Sequence, residues 1–153
     1  MNDQCCSILL AEDDENDAIL MQRALRNAGH DKPVRVVRDG EEAVAALSEL
    51  CQSPCRGDAA RGLLVLLDLK LPRKTGLEVL EWVRSQPDLR RVPVVLLTSS
   101  RDPRDVRRAY DLGVNSYLVK PSGYSELVEL AKLLVAYWFG LNEHPELAPG
   151  RND

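Results

Sequence analysis

The chain has 153 residues, 44% of them apolar and 29% charged, with a formal net charge of −4. That is the composition of one ordinary globular domain with a sizeable core, and the acidic balance argues against nucleic-acid binding. No apolar run approaches the roughly 18 residues of a membrane span, and the N-terminus lacks a basic-then-apolar leader, so a cytoplasmic location without membrane contact is expected.

Taken in order, Ile8 to Ala11 is a short apolar strand that ends in Glu12-Asp13. Asp14 caps the helix that follows, with Asp17 three residues on, and Ala18, Met21, Leu25 and Ala28 recur on one face before Gly29 stops it. Val34 to Val37 is a second strand, and Asp39-Gly40-Glu41-Glu42 opens a helix with Ala43, Leu47 and Leu50 on one side. Residues 51–62 form a loop of turn residues and charges without periodicity. Leu63 to Leu67 is a continuous apolar run ending on Asp68, which is the pattern of a strand buried on both faces. A loop through Leu69-Lys70-Leu71-Pro72 leads to Thr75-Gly76-Leu77-Glu78, a capping-box spacing that starts a helix ending before Pro87. Val92 to Leu97 is the fourth strand and ends in Thr98-Ser99. Asp102-Pro103 is a cap followed by proline at the first position of a charged helix. Tyr117 to Val119 is the fifth strand and ends in Lys120-Pro121. The last helix runs from about Tyr124 to Trp138.

Strand and helix alternate five times, which is an α/β sheet covered on both faces. Right-handed crossovers leave the flavodoxin-like, doubly wound, five-stranded parallel sheet of order 2-1-3-4-5 as the natural topology, with five helices. Ligands in such sheets bind beyond the carboxyl ends of the strands. Glu12, Asp13 and Asp68 therefore share one crevice with Thr98 and Lys120. Three crowded carboxylates raise one another's pKa unless a cation neutralises them, and an all-oxygen cluster suits a hard ion such as magnesium. With a hydroxyl and an ammonium beside it, the arrangement suits a phosphoryl group held next to a metal. A carboxylate can itself be the nucleophile and form an acyl phosphate, and Asp68, at the end of the most buried strand, is the candidate. Taken singly, Glu12 and Asp13 are surface acids, Lys120 a solvated lysine and Thr98 a turn residue; their convergence carries the argument. Asp14 is read as a helix cap rather than a metal ligand. Cys5, Cys6, Cys51 and Cys55 lack the paired zinc spacing and are read as free thiols at the opposite end of the sheet. His30 and His144 lie near turn signals and are expected to be exposed.

At these residues the sequence resembles the receiver domain of two-component response regulators. The motifs are ILLAEDDENDA, LLVLLDLKLPRKTGLEVL, VPVVLLTSS and YLVKP, in the family's order and spacing, and the likeness spans about residues 7–138. It implies that Asp68 is the phospho-accepting aspartate. Glu12 and Asp13 then hold magnesium, Asp13 directly and Glu12 through water, with the backbone carbonyl of Lys70 as the remaining protein ligand. Thr98 is implied as the switch hydroxyl, Lys120 as the lysine that pairs with the phosphoryl group, and Tyr117 as the aromatic switch residue whose inward rotamer follows the threonine. The resemblance further implies a cis Lys120–Pro121 bond. The Lys70 side chain, Ser99 and Ser100 depart from the commonest pattern beside the site, and residues 51–62 lengthen a loop away from it.

The expected function is that of a stand-alone receiver that accepts a phosphoryl group from a histidine kinase. No enzymatic turnover is expected beyond self-phosphorylation and autodephosphorylation. Residues 139–153 form a tail with no output domain. The long loop and the aromatic run Tyr137-Trp138-Phe139 resemble single-domain regulators paired with phytochrome-type light-sensing kinases, so a bacteriophytochrome is the expected partner. The last helix is apolar nearly all round, and Val128, Leu133, Val135 and Tyr137 are left over once one stripe covers the sheet. A two-fold homodimer through helix 4, strand 5 and helix 5 is expected, with Arg107, Arg108 and Asp111 supplying rim ion pairs. Alternatively Leu141 and Leu147 fold back over this face. Two rival functions are a haloacid-dehalogenase-type phosphatase, which would want an acid where Lys70 stands, and a phosphorylation-independent scaffold, which would not require the five-residue set.

Overall fold

The structure is a computed structural model and describes residues 6–52 and 62–145. Its strands are β1 (Ile8–Ala11), β2 (Val34–Val37), β3 (Leu64–Leu67), β4 (Val94–Thr98) and β5 (Ser116–Val119). They form one parallel sheet in the order β2-β1-β3-β4-β5. The helices are α1 (Glu15–Asn27), α2 (Gly40–Gln52), α3 (Gly76–Ser85), α4 (Pro103–Asp111) and α5 (Tyr124–Val135), the last continued by a π-helical segment over Ala136–Leu141.

Successive strand residues face opposite sides of a sheet, and here both sides are covered. Leu9, Ala11, Val65, Leu67, Val94 and Leu96 pack in one core with Ala43, Ala46 and Leu47 of α2 and Val79, Leu80 and Val83 of α3. Ile8, Leu10, Leu64, Leu66, Val95 and Leu97 pack in the other with Ala18, Met21 and Leu25 of α1 and Ala131 and Leu134 of α5. Burial on both faces explains why these strands read as unbroken apolar runs. The edge strand β5 is only half-buried along its length.

The helix starts follow the local sequence. Asp14 accepts a hydrogen bond from the Asp17 backbone N–H, Thr75 and Glu78 form a complete capping box, and Asp102 caps α4 ahead of Pro103. The last helix differs from expectation. Instead of one α-helix to Trp138, α-geometry ends at Val135 and a wider turn runs to Leu141, closed by the Asn142 N–H on Tyr137 O at 2.7 Å. That turn buries Trp138 in the α1–α5 core and sets Phe139 against it.

His30 is buried rather than exposed. Gly29 adopts φ +93°, a conformation that costs glycine nothing, and turns the chain so that the His30 N–H bonds Leu25 O at 3.0 Å. The Ser7 hydroxyl donates to Pro33 O at 3.2 Å, so His30 Nε2–H donates to Ser7 Oγ, 2.8 Å away. The imidazole also packs on Phe139 at a centroid distance of 4.8 Å, and Phe139 in turn on His144 at 5.6 Å. His144 is half-buried and hydrogen-bonded to the Trp138 carbonyl, again contrary to the exposed reading. Cys6 is buried and Cys51 half-buried beside the same core layer, and burial pushes the Cys6 thiol up. Cys5, Cys55 and Leu147, and residues 53–61 of the long loop, lie outside the described residues.

Burial holds the His30 imidazole below its ordinary range, with Lys32 adding to burial and Asp31 opposing it. The unfolded chain therefore binds the proton first as pH falls, so the contribution of neutral His30 is present above the unfolded value of about 6.5 and is lost below it. In urea titrations between pH 8 and pH 5 (roughly the histidine range), His30→Gln is expected to remove part of the wild type's loss of stability on acidification. An identical pH slope in the two proteins would contradict this.

Candidate functional site

The register of the sheet assembles the site. Ala11 of β1 lies opposite Leu67 of β3, so the next residues, Glu12 and Asp68, leave the sheet side by side. The Asp68 N–H bonds Ala11 O at 3.1 Å, and the Glu12 N–H bonds Val37 O at 3.0 Å. Thr98 lies opposite Val119, and the Lys120 N–H bonds Thr98 O at 2.8 Å. Three strand ends thus bring Lys120 Nζ to 2.8 Å from Glu12 Oε2 and 2.9 Å from Asp68 Oδ2. Asp68 is 8% exposed and Glu12 4%. Asp13 remains exposed, and one carboxylate oxygen from each of Glu12, Asp13 and Asp68 falls within 4.8 Å of the others.

The electrostatics divide the acids. Burial, reinforced by hydrogen bonding to Asp68, raises the Glu12 carboxyl to about 7, against the opposing pull of Lys120. Burial alone would also raise Asp68, but hydrogen bonds from Glu12 and Lys120, the Lys120 charge and the Lys70 N–H together hold it below the usual carboxylate range. Burial would lower the Lys120 ammonium, but its bonds to the two carboxylates outweigh this and keep it charged. Asp68 is thus the ionised carboxylate of the pair, and Glu12 is the group that takes up a proton near neutrality. A donor set of carboxylate oxygens with excess negative charge fits a hard divalent cation.

Around this centre the β3–α3 loop is tightly seated. The Lys70 N–H lies 3.3 Å from Asp68 Oδ1 while its side chain is exposed. Arg73 carries φ +67°, a left-handed conformation uncommon outside glycine, and its guanidinium reaches Asp39, just before α2, at 3.6 Å and Glu41, on its first turn, at 3.5 Å. Gly76 lies so close to the preceding turn that an added Cβ would stand 2.2 Å from Asp68 O.

Thr98 is fully buried, and its Oγ1 accepts from the Ser100 N–H at 3.3 Å. Tyr117 is half-buried against the core, and its hydroxyl donates to Ser100 O at 2.9 Å. Ser100 Oγ donates to Asp105 Oδ2 at 2.6 Å, which ties this loop to α4. The two expected switch residues therefore meet on Ser100, a residue that sequence reasoning noted only as a small polar group. Asp14 caps α1 as expected. Asp17, read only as part of that cap, also reaches Lys120, with Oδ2 3.4 Å from Nζ. Its spacing of one helical turn beyond Asp13 was the available signal. The Lys120–Pro121 bond is trans, contrary to expectation: no cis peptide occurs among the described residues. The two X–Pro isomers differ by only about 0.5–1 kcal/mol, so local context decides between them.

The chain is similar to known proteins over most of its length. The response regulator receiver domain family matches residues 8–132. Response regulator Rcp1 of Synechocystis sp. is 39% identical over 131 residues, 86% of this chain and 87% of the relative. The Mn2+-bound form of Rcp1 superposes with TM-score 0.76 at 38% identity, covering 90% of this chain and 97% of that one. The phosphorylated cyanobacterial phytochrome response regulator RcpA gives TM-score 0.79 at 40% identity, covering 90% and 96%. The bacteriophytochrome response regulator RtBRR gives 0.66 at 44% identity, covering 90% and 82%.

Replacing Gly76 by alanine is expected to force α3 away from the Asp68 carbonyl and lower unfolding stability in urea by about 1–3 kcal/mol. Unchanged stability would mean that the helix and the strand end can part without cost.

Proposed function

This chain belongs to the response regulator receiver domain family, and from that membership we propose that Asp68 accepts a phosphoryl group from a histidine kinase. The observation that carries the assignment is the buried, ionised Asp68 carboxylate held by Lys120 at 2.9 Å. One Asp68 oxygen forms a P–O bond as the donor's P–N bond breaks; the electron pair stays on the imidazole nitrogen, and an acyl phosphate results. Lys120 balances charge on the transferred group, and the Thr98 hydroxyl exchanges its bond with Ser100 for one to a phosphoryl oxygen. Tyr117, already bonded to Ser100, carries that change toward α4. Glu12, Asp13, Asp68 and the Lys70 carbonyl would hold a magnesium ion, which would neutralise charge on the phosphoryl oxygens. The protein acts as a phosphoacceptor rather than a turnover enzyme, in the cytoplasm, through a receiver over residues 7–138. No helix among the described residues is long and apolar enough to cross a membrane.

The similarity to RcpA and RtBRR supports a phytochrome-type kinase as the donor. The signal then leaves through α4, β5 and α5, where a second copy of the chain docks. Leu133, Tyr137 and Leu141 are 72%, 52% and 79% exposed, and the first two line a groove along β5 together with Glu126 and Glu129. The exposed Arg107 and Arg108 of α4 supply the opposite charge, so a two-fold arrangement pairs basic α4 with acidic α5 of the partner.

Incubation with acetyl phosphate and magnesium is expected to add one phosphoryl group by intact mass, absent with chelator and removed by hydroxylamine. Asp68→Asn should remain folded and gain none; a hydroxylamine-labile adduct on that variant would overturn the assignment of the nucleophile. Sedimentation at micromolar concentration is expected to show a dimer that Leu133→Glu disperses, and a wild-type monomer would refute the interface.

A further inference from the structure

A lysine ammonium has three N–H donors, and Lys120 has three carboxylates around it: Glu12 at 2.8 Å, Asp68 at 2.9 Å and Asp17 at 3.4 Å. The first two belong to the acidic trio that could hold a cation, and the third does not. A divalent ion at the trio competes with Lys120 for Glu12 and Asp68, and a phosphoryl group on Asp68 occupies one of its oxygens. Asp17 is the one partner that neither event removes.

Its backbone is anchored. The Asp17 N–H bonds Asp14 Oδ1 at 3.0 Å in the first turn of α1, and α1 is tied to α5 by Asn27 Nδ2 on the Tyr124 hydroxyl at 2.7 Å. Lys120 in turn has room to move. A cavity of about 120 Å³ opens beside it, lined by Lys120 itself with Asp17, Leu20 and Met21 of α1 and Leu127 of α5. We propose that Asp17 is a positioning residue that holds the Lys120 ammonium over Asp68 while the other two carboxylates change partners during phosphoryl transfer. This rests on the reading of Asp68 as the phosphoacceptor. The Asp17 side chain is 47% exposed, so the pair is screened by solvent and its effect is modest.

Two measurements on the full chain test this. The first is the rate of charging by acetyl phosphate with magnesium. Asp17→Asn is expected to slow it about two- to fivefold at saturating donor, with the half-saturating donor concentration unchanged, and Asp17→Glu to restore most of the rate. The second is a metal-free urea-unfolding cycle of Asp17→Asn, Lys120→Gln and the double variant, which is expected to be non-additive. A wild-type rate for Asp17→Asn overturns the proposal, and so does a slowed rate with an additive cycle, because the effect would then not pass through Lys120. If the wild-type chain takes no phosphoryl group, the reading of Asp68 falls and this role falls with it. If the wild type charges and only the variants fail to behave as stated, the inference alone falls.

Discussion

One ammonium group between two buried carboxylates is the constraint on which the site depends. Glu12 and Asp68 emerge from adjacent strands with their side chains almost wholly out of water, and two such charges repel unless something stands between them. Lys120 does so, from a strand two places away from β3. Removing one member of such a set leaves an uncompensated buried charge, a loss of about 3–5 kcal/mol. The same pairing that stabilises the fold also keeps Asp68 ionised and Lys120 charged. Stability and the charge state of the site therefore draw on one interaction.

The sheet delivers these groups because it is buried on both faces. Helices on either side force β1, β3 and β4 to be apolar throughout, so polar side chains are admitted only where the strands end. Parallel pairing then places all those ends on one edge. The loops beyond them are held by specific contacts: Gly76 against the Asp68 carbonyl, Arg73 across to α2, and Ser100 between Thr98, Tyr117 and Asp105. The first two hold the loop that follows the Asp68 carboxylate. The third joins a buried hydroxyl at the site to a helix on the surface.

Much of this was legible in the sequence, for identifiable reasons. Apolar runs that stop abruptly on Asp, Glu, Thr or Lys mark both the strands and their functional ends, and the caps at Asp14, Thr75 and Asp102 are local patterns of three or four residues. What was not legible depends on contacts between distant segments. Asp17 meets a lysine 103 residues away, and Tyr117 meets a carbonyl 17 residues away. His30 sits among turn residues that suggest exposure, yet a glycine bend folds it onto Ser7 and an aromatic ring from the far end of the chain covers it. The change from α to π geometry after Val135 has no breaker residue to announce it; Gly140 comes too late.

That π turn has an evolutionary consequence. A helix that accommodates i→i+5 bonding holds one residue more per turn than α-geometry seats, so losing a single residue between Ala136 and Leu141 would let the segment rewind as α-helix. Each residue of an α-helix turns the chain by roughly 100°, and each residue of the wider turn by less, so such a deletion would leave the side chains downstream on nearly the bearing they now hold and the crevice at the other end of the sheet untouched. Lineages carrying this fold can thus gain or lose one residue here in a single mutational step, with the helix beyond it and the acidic crevice both left as they were.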